Sequence, residues 1–123
     1  MLSVFCSPSR YVQGKNATAA LATEMAKFGW SGKVMIIAGR SAAKLLQETW
    51  QSTLPSSGFA PVIELFKGEC SSDEIARLVA IAEQQKVTVV VGAGGGKVLD
   101  TSRAVAAKLD LPAVNCPTVA SSD

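Results

Sequence analysis

The chain has 123 residues, of which 48% are apolar and 18% are charged, and its net charge is +2. This length and composition predict one globular domain with its own core, and they exclude a disordered tail. The small net charge and scattered basic residues argue against nucleic acid as a partner, and no apolar run approaches the roughly 18 residues of a membrane span. We therefore expect a cytoplasmic protein.

The histidine and cysteine content restricts the kinds of catalytic and metal site that the chain can form. Histidine is absent, which removes the usual general base, the usual zinc ligand and any Ser–His or Cys–His dyad from this chain. The three cysteines, Cys6, Cys70 and Cys116, stand far apart and form no C-x-x-C pair. This spacing predicts buried or semi-buried free thiols rather than a zinc ribbon or a disulfide framework.

In chain order, the first elements are a strand at Leu2–Cys6, a helix from about Ala17 to Phe28 and a strand at Lys33–Ala38. The inner face of this helix is predicted to carry Leu21, Met25 and Phe28. Gly39-Arg40-Ser41 then turns into a second helix. Its predicted inner stripe is Leu45, Leu46, Thr49 and Trp50.

A third unit follows, with a strand at Val62–Phe66 and a helix that begins after Ser71. Ser71 and Glu74 have the spacing of a capping box, in which each side chain accepts a hydrogen bond from the other residue's backbone N–H. The helix is predicted to bury Ile75, Leu78, Val79 and Ala82.

The most informative stretch is a strand, a run of glycines and a helix. Val87–Val91 is short, apolar and β-branched, and helical periodicity follows from Val98 to Leu109. Gly92, Gly94, Gly95, Gly96 and Lys97 lie between them.

Backbone N–H groups at a helix N-terminus lack intrahelical partners and carry a positive partial charge, and glycines let a phosphate oxygen approach closely. We call residues 94–97 the glycine turn and interpret it as an anion site. The alternative is that the glycines only make a tight connection. Neither the G-x-G-x-x-G fingerprint nor the Walker A pattern fits, because Lys97 and Val98 occupy positions that those motifs reserve for other residues.

Strand and helix alternate throughout, and Ala113–Cys116 is a fifth strand candidate. This alternation predicts an α/β fold, a Rossmann-like, doubly wound parallel sheet with helices on both faces. In such sheets ligands bind beyond the carboxyl ends of the strands. The glycine turn, the Gly39-Arg40 turn and the tail from Pro117 to Asp123 should therefore meet at one edge.

Four segments together resemble a known family. Gly92-Ala-Gly-Gly-Gly-Lys-Val-Leu-Asp-Thr-Ser-Arg-Ala-Val-Ala is similar to the glycine-rich signature of the glycerol dehydrogenases, within the iron-containing, metal-dependent alcohol dehydrogenase superfamily. Pro117-Thr-Val-Ala-Ser-Ser-Asp123, Ser7-Pro-Ser-Arg-Tyr-Val-Gln-Gly14 and Gly68-Glu-Cys-Ser71 resemble further landmarks, in the right order and spacing. The resemblance covers the whole chain but only about the first third of a family member.

The resemblance implies that NAD or NADP binds with its pyrophosphate around Gly94, Gly95, Gly96 and Lys97. It also implies that Asp100 lies near the nicotinamide end, that Thr118 and Ser121 contact the cofactor, and that Asp123 faces the hydroxyls of a polyol substrate. Alternatives from the residues alone are a dipole partner at the helix N-terminus for Asp100, turn chemistry for Thr118 and Ser121, and a frayed end for Asp123.

The chain departs from the family pattern in two ways. Family members commonly have an acidic residue after the second strand to bind the adenosine ribose. Here Arg40 and Ser41 favour a relaxed cofactor preference or a tilt toward NADP, and the alternative is that Arg40 only points into water. The family also holds its catalytic zinc or iron on one Asp and two His of a later helical domain. We expect residues 1–123 to be a single, incomplete nucleotide-binding domain without that helical domain, with no metal ligand or catalytic residue of its own, and inactive alone.

These inferences leave three functional hypotheses. The first is the nucleotide-binding part of an NAD(P)-dependent glycerol or polyol dehydrogenase. The second is a non-catalytic or degenerate dinucleotide-binding module. The third is a fragment that assembles through an exposed sheet edge, for example as a homo-oligomer.

Overall fold

The computed structural model describes residues 3–5, 21–23 and 25–117. Helical residues at 21–23 and 25–27 precede the second strand. The strands of the described part are β1 (Ser3–Phe5), β2 (Gly32–Ala38), β3 (Phe59–Leu65), β4 (Val89–Gly94) and β5 (Ala113–Pro117). The longer helices are α1 (Arg40–Thr53), α2 (Ser72–Gln85) and α3 (Gly96–Leu109), and a 3₁₀ turn at Pro55–Ser57 joins α1 to β3.

The strands form one sheet in the order β1-β5-β4-β2-β3, and all of its neighbouring pairs are parallel. Parallel neighbours need crossover connections, and the helices between the strands supply them. The predicted doubly wound α/β fold is therefore confirmed.

Both faces of the sheet are buried, which explains why the central strands are almost continuously apolar. One face, with Val34 and Ile36 of β2, packs against α1 and against Leu21, Ala22 and Met25. The other face, with Met35 and Ile37, packs against α2 and α3. Alternation along β2 thus sends successive side chains into two separate cores.

The direction of the crossovers reverses between the two central strands. From β2 the chain passes through α1 to β3 on one side, and from β4 it passes through α3 to β5 on the other. Because β2 and β4 are neighbours, the turns after their last residues flank a topological switch point, where such sheets bind ligands.

Several local predictions need correction. Leu45 does not belong to the inner stripe of α1, because it is 62% exposed while Leu46 and Trp50 are buried together with Ala42 and Ala43. Phe28 is also exposed, since it lies in the turn after the helical residues and stacks on Trp30 with ring centroids 4.8 Å apart. The third strand begins earlier than predicted, at Phe59.

The cysteine prediction is wrong at both described cysteines. Cys116 is disulfide-bonded and not a free thiol, and Cys70 is free but exposed, not buried or semi-buried. The spacing of three distant cysteines does not show which of them come close in the fold, so the pattern alone could not reveal this bond.

Candidate functional site

The turn between β4 and α3 exposes a helix N-terminus at the switch point. Gly94 has φ +149°, a conformation that residues with a Cβ rarely adopt, and an added Cβ would lie 3.3 Å from the Gly39 backbone nitrogen. Gly95 is the N-cap residue of α3, no side chain caps this end, and the first turn contains no acidic residue. The positive end of the helix is therefore not neutralised from within α3.

Two other glycines have opposite roles. A Cβ on Gly92 would lie 2.0 Å from Ser102 Oγ, so this glycine allows α3 to pack closely on β4. Among residues 3–5, 21–23 and 25–117, nothing lies within 4 Å of a Cβ added to Gly96. The fold therefore requires glycine at residue 92, whereas no described residue occupies the space above the backbone of residue 96.

Lys97 adds a formal charge to this end of α3, but the charge is already paired. Its Nζ donates a hydrogen bond to Glu69 Oε1 at 3.2 Å, and the two side chains are 62% and 76% exposed. Glu69 belongs to the loop of residues 66–71 between β3 and α2. An exposed pair of this kind contributes about 0–1 kcal/mol, so an anionic ligand can displace Glu69 at small cost.

Of the four other predicted site residues, only Asp100 lies in the part of the chain that the structure describes. Asp100 lies one helical turn after Lys97 on α3, is exposed, and accepts a hydrogen bond from Arg103 Nη2. Thr118, Ser121 and Asp123 lie outside the described residues. The structure therefore brings Gly94, Gly95, Gly96, Lys97 and Asp100 to one end of α3.

Beside the glycine turn, a cleft of about 660 Å³ lies at the carboxyl ends of β2 and β3. The residues that line it are Gly39, Arg40, Ser41, Leu65, Phe66, Lys67 and Gly68. Gly39 N donates a hydrogen bond to Ala93 O at 3.0 Å, which joins this cleft to the end of β4. The turn after β2 is thus hydrogen-bonded directly to the strand that leads into the glycine turn.

An ion-pair network fastens the loop of residues 66–71. Arg77 donates from Nε and Nη2 to the two oxygens of Glu74, at 2.8 and 2.7 Å, and from Nη1 to Glu64. Lys67 N donates to Glu74 Oε2 at 2.9 Å, and Glu74 N donates to Ser71 Oγ at 3.2 Å. Only half of the predicted capping box is therefore confirmed, because the Glu74 carboxylate binds Arg77 and Lys67 N.

The same contacts set the protonation state of the network. The hydrogen bond from Arg77 lowers the pKa of the Glu74 carboxyl; burial opposes this effect, and the hydrogen bond from Lys67 N supports it. Glu74 in turn raises the pKa of Arg77. Both groups are therefore charged at neutral pH.

The described residues do not fit a metal centre. Within residues 3–5, 21–23 and 25–117, no three His, Cys, Asp or Glu side chains are arranged so that they could hold an ion. Ligands for a metal would have to come from outside this part of the chain. Among the same residues, no helix has the length and hydropathy needed to cross a bilayer.

Comparison with known proteins shows which family the chain belongs to. Residues 8–123 match the family described as "Iron-containing alcohol dehydrogenase". The chain belongs to this family. Similar proteins include a glycerol dehydrogenase from Thermotoga maritima, 41% identical over 123 residues, and a glycolaldehyde reductase from Halobacterium salinarum, 37% identical over 123 residues. Both matches cover 100% of this chain and 33% of the relative, so the chain spans about a third of their length.

The fold comparison agrees with the family. The crystal structure of a probable glycerol dehydrogenase from Sinorhizobium meliloti superposes with a TM-score of 0.70, at 23% identity, over 94% of this chain and 28% of that one. At this identity the match supports the α/β fold alone. The resemblance to glycerol dehydrogenases within the iron-containing alcohol dehydrogenases, stated from four segments of the sequence, is confirmed.

Sequence reasoning missed the partners of the site residues. Glu69 pairs with Lys97 although 28 positions separate them, and Lys67 lines the same cleft as Arg40. The segment Gly68-Glu-Cys-Ser71 stood out as a family landmark, but nothing in its local pattern indicates which side chain it meets. Such pairings follow from the sheet order, which brings the ends of β2, β3 and β4 together.

Proposed function

We propose that this chain is the nucleotide-binding part of an NAD(P)-dependent dehydrogenase acting on glycerol or a related small polyol. The observation that carries the proposal is the glycine turn itself. It lies at the switch point of a parallel sheet, opens a helix whose N-cap glycine has no side chain to cap it, and leaves the space above Gly96 unfilled by any described residue. A dinucleotide pyrophosphate fits this combination of open backbone and positive helix end.

Different groups at the start of α3 would contact different parts of the dinucleotide. The backbone N–H groups at the start of α3 would donate hydrogen bonds to the pyrophosphate, and Lys97 would add a charge after leaving Glu69. Asp100 lies one turn further along α3, where it would contact the nicotinamide half. When bound, the nicotinamide supplies hydride chemistry at its C4 carbon.

The substrate class rests on the relatives. Proteins that are 37% and 41% identical to this chain are named glycolaldehyde reductase and glycerol dehydrogenase. Glycolaldehyde and glycerol are both small hydroxylated molecules. Asp123 is the proposed contact to substrate hydroxyls, and Thr118 and Ser121 are proposed cofactor contacts; all three lie outside the described residues. Residues 1–123 alone are proposed to be inactive, since the divalent metal, zinc or iron, needs ligands that the described part does not bring together.

Calorimetric titration with NAD and with NADP tests the proposal. We expect saturable binding of at least one dinucleotide, with ADP-ribose competing because it carries the same pyrophosphate. Binding of neither dinucleotide would refute the proposed function and favour a degenerate module. Glycerol-dependent reduction of the cofactor by residues 1–123 alone would contradict the proposed inactivity.

A further inference from the structure

The cleft beside the glycine turn has an unusual charge for an adenosine ribose site. Of the described residues that line it, Arg40 and Lys67 are cationic and none carries a carboxylate. Arg40 is exposed at the first position of α1 and makes no hydrogen bond or ion pair within the described part of the chain. Its guanidinium is therefore available to a ligand.

Each described carboxylate near this cleft already has a cationic partner. Glu64 and Glu74 bind Arg77, Glu74 also accepts a hydrogen bond from Lys67 N, and Glu69 binds Lys97. The first turn of α1 contains no acidic residue, and its N-cap residue, Gly39, has no side chain to cap it. Among the described residues, the surroundings of Arg40 consequently favour an anion and offer no unpaired carboxylate to accept a hydrogen bond from a ribose 2′-hydroxyl.

The position of the cleft identifies which anion this would be. A dinucleotide whose pyrophosphate lies on the glycine turn extends its adenosine half across the end of β2, and Gly39 at that end is hydrogen-bonded to Ala93 of β4. The 2′ position of the adenosine ribose is then the part of the ligand that meets the turn after β2. A guanidinium and an ammonium at this place suit a phosphate monoester, which accepts several charge-assisted hydrogen bonds.

We propose that Arg40 and Lys67 form a subsite for the 2′-phosphate of NADP, so that this chain selects NADP over NAD. The inference rests on the proposed function, because it assumes that a dinucleotide occupies the glycine turn. Lys67 is held at the cleft by its backbone, since Lys67 N is hydrogen-bonded to the buried carboxylate of Glu74. Arg40 is the first residue of α1, so the helix fixes the position of its backbone.

The test measures the dissociation constants of both dinucleotides for the protein as it is naturally made and for two variants. Arg40→Ala removes the proposed contact. Lys44→Ala removes an equal charge one turn further along α1, from an exposed residue that does not line the cleft. Thermal melting of each variant reports whether the fold is retained.

We expect the unaltered protein to bind NADP about tenfold more tightly than NAD, which corresponds to one charge-assisted contact. Arg40→Ala should weaken NADP about tenfold and leave NAD unchanged, and Lys44→Ala should preserve the ratio. Equal affinity for the two dinucleotides, or an equal loss of both in Arg40→Ala, would overturn the 2′-phosphate subsite while leaving the proposed function intact. Binding of neither would refute both.

Discussion

Lys97 Nζ lies 3.2 Å from Glu69 Oε1, which joins the start of α3 to the loop between β3 and α2. The cation at the glycine turn is therefore paired with a carboxylate before any ligand arrives. Because both side chains are more than half exposed, water and salt weaken this attraction. The pair neutralises the mouth of the site without closing it.

This pairing predicts that Glu69 opposes dinucleotide binding. In Glu69→Gln the charge of Lys97 is available at once and one negative charge near the pyrophosphate is removed, so affinity should rise by a factor of about 2–5 at low salt. Titration calorimetry at two salt concentrations measures the effect. Glu83→Gln, an equal charge change on the exposed part of α2, is the matched control. A loss of affinity in Glu69→Gln would show that Glu69 helps to hold the ligand.

Gly92 is predicted to be a packing residue. In Gly92→Ala the new Cβ would approach Ser102 Oγ to 2.0 Å and Ser102 Cβ to 2.8 Å, so α3 must shift away from β4. Overpacking of this kind costs about 1–3 kcal/mol in the free energy of unfolding. Urea denaturation measures it. Gly92→Ala combined with Ser102→Ala should recover part of the loss, and an unchanged stability of the single variant would contradict the tight packing.

The network around Glu74 predicts a loss of stability in acid. Arg77 lowers the pKa of Glu74 in the folded state, so its contribution is present above the ordinary Glu pKa of about 4.3 and is lost as pH falls through the lowered value. Unfolding free energies between pH 7 and pH 2 should show this slope, and Glu74→Gln should reduce it.

Glu74→Gln should also cost about 1–3 kcal/mol at pH 7, because Arg77 loses its main partner while remaining about a quarter exposed. Glu48→Gln, on the exposed part of α1, controls for the change in net charge. The same acid slope in Glu74→Gln and in the unaltered protein would locate the titrating carboxyl elsewhere.

Substitution of Asp100 tests whether this residue binds the ligand or only stabilises α3. Its pair with Arg103 is exposed on α3, and surface pairs at this spacing contribute only a few tenths of a kcal/mol. If Asp100 contacts the nicotinamide half, Asp100→Asn should weaken NAD(P) at least fivefold while Arg103→Gln leaves affinity unchanged. Binding of ADP-ribose, which lacks nicotinamide, should be the same in both variants. Equal and small effects of both substitutions would assign Asp100 to the helix alone.

The sequence was sufficient for the architecture, because apolar strands that alternate with amphipathic helices leave few arrangements other than a parallel sheet. It also indicated the glycine turn and the buried positions Leu46, Trp50 and Leu78. It failed at Leu45 and Phe28, where a one-residue error in the helical face or end changes burial completely. The contacts of Glu69 and Glu74 depend on loops from different strands, which no local pattern encodes. The domain limits, a cytoplasmic location and a homo-oligomeric state stay predictions.

Gly96 offers the most direct test, since no residue in the described part of the chain occupies the space above it. The measurement is the dissociation constant of the preferred dinucleotide for Gly96→Val, with the melting temperature recorded alongside. Valine near a helix start changes stability by no more than about 1 kcal/mol, so the melting temperature should stay close to that of the unaltered protein. We predict that affinity falls at least tenfold because the side chain occupies the place of the pyrophosphate. Unchanged affinity in the folded variant would contradict a dinucleotide site at the glycine turn.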